Sequence, residues 1–218
     1  MIDVDSLSKR FGSRTLWHDL KFSVGQGEML ALVGPSGSGK STLLNCMGLL
    51  DRPTEGAVHY EGRDITRFSR REARLFRRDV LGYLFQHYAL IENATVEENL
   101  DVVTKPRQPV PGRPGATIAE ALDRVGLGGR EEEQVNFLSG GEQQRVAVAR
   151  LLVQQPALVL ADEPTAALDS ANAAMVLSML REMSVAGCTV VIATHDDTVR
   201  DACDSVFDVH ESTDRSFV

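Results

Sequence analysis

Residues 29–42 read MLALVGPSGSGKST. The first five, Met29 to Val33, are apolar without alternation, the pattern of a strand buried on both faces of a parallel sheet. The remainder, Gly34-Pro35-Ser36-Gly37-Ser38-Gly39-Lys40-Ser41-Thr42, fits G-x-x-x-x-G-K-[ST]. Glycines at those places let successive backbone N–H groups turn inward around an anion. A helix expected over Lys40–Leu50, stopped near Pro53, aims its positive end at the same point. Lys40 can then reach the β and γ phosphates of a nucleotide, and the Ser41 hydroxyl can ligate Mg²⁺. Strand, phosphate loop and helix in that order predict an α/β fold with its ligands beyond the carboxyl ends of the strands.

The same alternation continues outward. Strands are expected over Ile2–Leu7, Leu20–Val24 and Glu28–Val33, with Gly25 and Gly27 turning between the last two, and an edge strand over Ala57–Tyr60. Arg67–Asp79 reads as a basic helix and Val80–Phe85 as a strand. Thr95-Val96-Glu97-Glu98 is a capping box, so a helix should run from Thr95 towards Val103. Four prolines between Lys105 and Gly115 predict a surface connection, and Thr117–Val125 a helix closed by Gly126. Then follow a strand (Leu158–Ala161), a helix (Ala171–Ala186), a strand (Thr189–Ala193), a helix from Asp196 and a short strand over Val206–Val209. Strands alternating with helices at both ends predict a parallel sheet with crossover helices. The middle, all helix and loop, reads as a helical subdomain over residues 86–136 inserted into one α/β domain spanning 1–218.

Three further places carry chemistry. The buried strand LVLADE delivers Asp162 and Glu163 to its carboxyl end. Asp162 suits Mg²⁺, through water; Glu163 leaves the sheet in another direction and can polarise a water that attacks a γ-phosphate. Read alone, the pair can equally cap a turn before Pro164. His195 follows a strand that ends at the same sheet edge; a lone histidine there is structural or a γ-phosphate contact. Gln86, where the helical insert begins, is a plain surface residue or a metal and water contact. The stretch LSGGEQQRVAVAR, 138–150, sets Ser139, Gly140 and Gly141 before a helix, with Ser139 as its N-cap.

Composition narrows the classes. The chain has 218 residues, is 43% hydrophobic and carries a net charge of −8. That balance argues against non-specific nucleic-acid binding. The basic run Arg67, Arg70, Arg71, Arg74, Arg77 and Arg78 reads instead as an exposed helix face, and Glu131-Glu132-Glu133 as solvated surface. Cys46, Cys188 and Cys203 are few and widely spaced, which fits a reducing compartment and offers no zinc spacing. The opening MIDVDSLSKRF is charged, without an apolar signal region, and no apolar run of ~20 residues is present.

Taken together these residues resemble the ATP-binding subunit of ABC transporters, from about Ile2 to Val209. In that family GPSGSGKST is the Walker A loop, LVLADE the Walker B strand, Gln86 the Q-loop glutamine, Leu138–Glu142 the signature, Ala167-Leu168-Asp169 the D-loop and His195 the switch histidine. The resemblance implies a P-loop NTPase core with an N-terminal antiparallel β subdomain and the inserted helical subdomain. It also implies Mg²⁺-dependent ATP hydrolysis, with Phe11 stacking on adenine, although Phe11 can equally belong to the core of the first strands. Two such domains pair head to tail, so that Ser139, Gly140, Gly141 and Glu142, with Asp169, would complete the partner's site. The expected pair is a homodimer at the inner face of the membrane, driving a separate integral-membrane permease, with no direct nucleic-acid contact. Ala166 and Ala167 depart from the family, where glycine and serine usually precede Leu-Asp, and an altered coupling is the implied consequence. The segment Tyr83–Leu100 is similar to bacterial exporter ATPases of the macrolide and lipoprotein-releasing type, and most of all to lactococcin-972-type bacteriocin exporters. An ATP-gated regulator of a membrane or cell-wall partner is the alternative left open.

Overall fold

Three strands are buried at every position but one: β3 (Met29–Val33), β7 (Leu158–Asp162) and β8 (Thr189–Ala193). Continuous apolar runs of this kind need cover on both faces, and the computed structural model, which describes residues 1–104 and 116–210, shows that cover. The connection expected over Lys105–Gly115 lies outside the described residues.

With β6 (Leu81–Leu84) and β9 (Ser205–Asp208) these strands form a parallel sheet in the order β6-β7-β8-β3-β9. The period of two sorts their side chains into two cores. Leu30, Leu32, Leu158, Leu160, Val191 and Ala193 face one core, with α1 (Lys40–Met47) and the N-terminal strands. Met29, Val159, Ala161, Val190 and Ile192 face the other, built with α3 (Val96–Asp101), α4 (Ile118–Arg124), α5 (Gly140–Gln154) and α6 (Ser170–Val185).

The second sheet is antiparallel, β1 (Ile2–Phe11) and β2 (Arg14–Val24) joined by a tight turn at Gly12, then β4 (Glu55–Tyr60) and β5 (Arg63–Asp64), in the order β2-β1-β4-β5. The two remaining helices are α2 (Arg70–Asp79) and α7 (Asp197–Asp201). The fold is therefore the expected α/β core with an antiparallel N-terminal sheet.

Several local expectations shift. β4 is not an edge strand, because the two-residue β5 pairs with its outer side. The α1 helix stops at Met47 rather than Leu50; Gly48 takes the C-cap and Leu49 turns left-handed at φ 56°. Helix α2 begins at Arg70 because Ser69 and Glu72 form a capping box. Strand β6 ends at Leu84, short of Phe85, and β1 and β2 each run longer than their apolar cores suggested. Among the described residues no helix is long and apolar enough to cross a membrane.

Candidate nucleotide site

The loop after β3 carries left-handed backbone at Gly34 (φ 140°), Gly37 (φ 79°) and Gly39 (φ 94°). Gly39 is held by its neighbours as well as its torsion. A Cβ there would sit 2.6 Å from Leu16 Cδ2 and 2.7 Å from Trp17 Nε1, so β2 packs directly beneath the loop. Gly39 is also the N-cap of α1 and has no side chain to offer the helix, leaving the first-turn N–H groups open to a ligand. The buried Ser38 Oγ lacks a hydrogen-bond partner within the protein. An orphaned hydroxyl, open helix donors and a glycine cradle all fit a phosphate group. Lys40 is buried, and its Nζ donates to the Gly34 carbonyl at 2.7 Å and to that of Pro35 at 3.3 Å.

Beside this loop lies a cavity of about 440 Å³ lined by Phe11, Arg14, Leu16, Gly37, Gly39, Lys40, Ser41 and Thr42. Phe11, at the tip of the β1–β2 hairpin, is 54% exposed and so is not a core residue. Arg14, its register partner, was missed by the sequence reading. The one signal for it is its place opposite Phe11 across a Gly-Ser turn.

The sheet edge assembles the rest. The Ser41 hydroxyl donates to Asp162 Oδ1 at 3.0 Å, joining α1 to the end of β7. Burial raises the Asp162 carboxyl above the usual carboxylate range, only partly offset by that hydrogen bond and by Lys40. A buried carboxylate beside a hydroxyl suits a hard divalent cation that takes its other ligands from water and phosphate. Among the described residues no group of three or more His, Cys, Asp or Glu could hold a metal by itself.

Glu163 follows in a left-handed conformation (φ 49°), its N–H donating to the Ala193 carbonyl at 2.9 Å. A non-glycine residue held there stores strain that the surrounding structure must support. The result turns its side chain to His195, whose Nδ1 donates to Glu163 Oε1 at 2.7 Å. Glu163 is 14% exposed and His195 is 70% exposed, so the base candidate is sheltered and its partner faces solvent. The pairing Asp162↔Ala193 between β7 and β8 places both at one level.

The Glu163 hydrogen bond and charge raise the His195 imidazole above its ordinary value. An elevated folded-state value means that this pair stabilises the fold fully below about pH 6.5 and fades as pH rises through the raised value. Its exposure keeps the contribution small. In an NMR titration His195 is expected to titrate above the free-imidazole range and to fall back towards it in Glu163→Gln. An unshifted midpoint in the native chain would show that the pair does not form in solution.

Gln86 is exposed, in the turn two residues past the end of β6; the pairing Leu84↔Ala161 brings that turn to the same edge as Glu163. Asp169 caps α6, accepting from the Asn172 N–H at 2.9 Å. That bond and those of the Asn172 side chain hold its carboxyl below the usual range.

Ser139, Gly140, Gly141 and Glu142 are not walls of the phosphate-loop cavity. They open α5, a crossover helix whose N-terminus lies on the carboxyl side of the sheet. Tyr88, beyond β6, would sit 3.0 Å from a Cβ on Gly140, and Leu168, beyond β7, 3.4 Å from one on Gly141. Ser139 and Glu142 form a capping box: the Ser139 N–H and Oγ each donate to Glu142 Oε2 at 2.7 Å, and the Glu142 N–H donates back at 3.3 Å. The sequence reading saw the cap and missed its glutamate partner. Arg150 Nη1 and Nη2 donate to the carbonyls of Ala89 and Tyr88 at 2.8 and 3.1 Å, fixing the turn that covers Gly140.

Comparison with known proteins shows the family and the fold. The chain is 38% identical over 216 residues to the macrolide export ATP-binding/permease protein MacB of Nitrosomonas europaea, covering 97% of this chain and 33% of that one. It thus spans about a third of the length of the macrolide exporters it matches. It is 44% identical over 207 residues to the phosphonates import ATP-binding protein PhnC 2 of a Synechococcus species, covering 90% of this chain and 76% of that one. A dimeric, post-hydrolysis state of the ATP-binding cassette MJ0796 bound to ADP and Pi superposes with a TM-score of 0.85 at 34% identity, over 95% of this chain and 94% of that one. A family model described as ABC transporter matches residues 17–166, and with the phosphate loop, the two acids and the histidine at one sheet edge, the chain belongs to the ABC transporter family as an ATP-binding cassette domain.

Proposed function

We propose that this chain is the ATP-hydrolysing subunit of a bacterial exporter, cytoplasmic and peripheral on the inner face of the membrane, driving a separate permease through ATP-dependent dimerisation. The observation that carries the chemistry is the convergence at one edge of Ser41–Asp162 at 3.0 Å and His195–Glu163 at 2.7 Å beside Lys40. Lys40 and the open amides of residues 34–42 bind the phosphates, and Phe11 stacks on the adenine. Ser41 and Asp162, with Gln86, would hold Mg²⁺, which when bound neutralises phosphate charge. Glu163 accepts the proton of the attacking water, and His195 orients it and contacts the γ-phosphate. Ser139–Glu142 and Asp169 serve the nucleotide of a second copy, so each monomer carries half of two sites and closure assembles them.

The export direction rests on the likeness of Tyr83–Leu100 to exporter ATPases. Its similarity to lactococcin-972-type systems makes a small secreted peptide the proposed cargo, selected by the permease. Residues 86–136 act as the helical subdomain that meets it. A groove of about 260 Å³ lined by Leu50, Tyr83, Phe85, Val102 and Val103, among others, runs between that segment and the sheet. Tyr83 and Phe85 stack there with ring centroids 4.0 Å apart, and Val102 is exposed. Arg77, Arg150 and Gln154 add polar groups to the apolar lining, a mixed surface that we assign to a coupling helix of the permease.

Co-purification of the chain with its permease and stimulation of its ATPase by that permease are the test. Val102→Arg is expected to remove the increment of turnover that the permease adds. Undiminished stimulation would place the permease elsewhere, and a membrane partner that co-purifies without stimulating turnover would favour the regulatory reading.

A further inference from the structure

The fifth signature residue is a glutamate, and this is a physical problem for a motif whose proposed neighbour is a γ-phosphate. A carboxylate at the start of α5 suits the helix dipole but repels a triphosphate brought against it. Glu142 also holds the one proton that the Ser139 hydroxyl can donate. While that bond stands, Ser139 cannot offer the same proton to a partner's nucleotide.

Arg130 lies across this problem. Its Nη1 donates to Glu142 Oε1, the oxygen that Ser139 does not use. Its Nε and Nη2 donate to Glu133 Oε2 and Oε1 at 2.6 and 2.9 Å, a two-pronged clamp that fixes the guanidinium plane. Arg130, Glu133 and Glu142 are all only partly exposed. The segment that carries Arg130 is anchored in turn: the carbonyls of Glu131 and Glu133 accept from the N–H groups of Glu97 and Val96 at 3.0 and 2.9 Å, at the first turn of α3. A chain of contacts therefore runs from the helical insert through Glu133, Arg130 and Glu142 to Ser139. The hydrogen bonds from Ser139 and Arg130 hold the Glu142 carboxyl down to about 2, so it is ionised at any physiological pH.

We infer that Arg130 is a positioning residue for the signature: sharing its guanidinium between Glu133 and Glu142, it offsets part of the Glu142 charge, so that the cap can face a partner's γ-phosphate and Ser139 can release its proton to it. This rests on the proposal that the signature completes the partner's site. Arg130 touches neither nucleotide nor reacting atoms in that arrangement; it acts through Glu142. Without it, Glu142 would keep its full charge at the interface and hold the Ser139 hydroxyl more tightly.

The test is a pair of variants of the full chain, assayed for ATP binding, ATP-driven dimerisation and turnover. Arg130→Met is expected to bind ATP as the native chain does and to lose about tenfold or more in turnover and dimerisation. Adding Glu142→Gln, which removes the charge and keeps the shape, should recover most of that loss. The Arg130→Met deficit should also shrink as ionic strength rises, since the repulsion is screened over about 8–10 Å. Native turnover in Arg130→Met, or a double variant no better than the single one, would overturn the inference. If Arg130→Met lacks a cooperative thermal transition, Arg130→Gln with and without Glu142→Gln gives the same decision, because glutamine stays polar and loses the charge. Gly140→Asp separates the two levels. Normal turnover there sinks the shared site itself, whereas a dead Gly140→Asp beside a native Arg130→Met sinks only the role of Arg130.

Discussion

Glu163→Gln is expected to bind ATP normally, to lose hydrolysis by a factor of about 100 to 10,000, the usual range for removal of a general base, and to accumulate as a closed dimer. The reasoning starts from shape. Glutamine keeps the acceptor oxygen that His195 uses and the volume of the side chain, but it cannot take a proton. The left-handed backbone at Glu163 costs the same for either residue, so the strain is unchanged. The ion pair lost with His195 is largely exposed on the histidine side and contributes little to stability. A large loss of rate with nearly native thermal stability is thus the discriminating pattern.

Asp162 is the other carboxylate within reach. Its Oδ1 already accepts from Ser41, and its burial at the end of β7 suits a cation rather than a mobile proton. If Glu163→Gln hydrolyses ATP at the native rate, Glu163 is not the base and Asp162 becomes the residue to examine. ATP would then be cleaved too fast for the closed dimer to build up, so size-exclusion chromatography with ATP reads the same question independently.

How much of this was legible in the sequence follows from how local each feature is. The phosphate loop is contiguous, because a helix N-terminus and its preceding turn must be built from consecutive residues, and nine letters suffice to read it. The buried strands were legible because both-face burial forces an unbroken apolar run. The Glu163–His195 contact spans 32 positions and exists through the register of β7 against β8; the sequence put both residues at one edge but not in hydrogen-bond contact. Strand β5 is Arg63-Asp64, two charged residues that satisfy no strand pattern and pair only because the Glu61-Gly62 turn folds them back on β4. The capping boxes at Ser69, Thr117 and Ser139 share the spacing recognised at Thr95. They were legible and went unread. The Arg130–Glu142 contact crosses a turn and a short 3-10 segment at Val135–Phe137, and no periodicity marks it.

Gly140→Asp should leave ATP binding intact and abolish both hydrolysis and dimer closure. The phosphate loop, Asp162 and Glu163 lie outside the environment of Gly140, whose nearest group is the Tyr88 hydroxyl. Binding to the monomer's own loop therefore has no reason to change. Position 140 is the first residue of α5, where the capping box already carries the Glu142 carboxylate. A second carboxylate beside it would stand where the open face of the helix must approach a triphosphate. The aspartate also needs the space now held by the end of the Tyr88 side chain. Losing a helix cap costs about 1 kcal/mol, far too little to unfold a cassette of this size. A dead enzyme that still binds ATP would thus report on the interface and not on folding. Gly140→Ala separates charge from bulk: its methyl meets only the flexible Tyr88 hydroxyl, and it should retain much of the turnover that aspartate removes. Normal turnover in Gly140→Asp would mean that the serine-glycine-glycine step faces no phosphate, and that each chain hydrolyses ATP with its own residues alone.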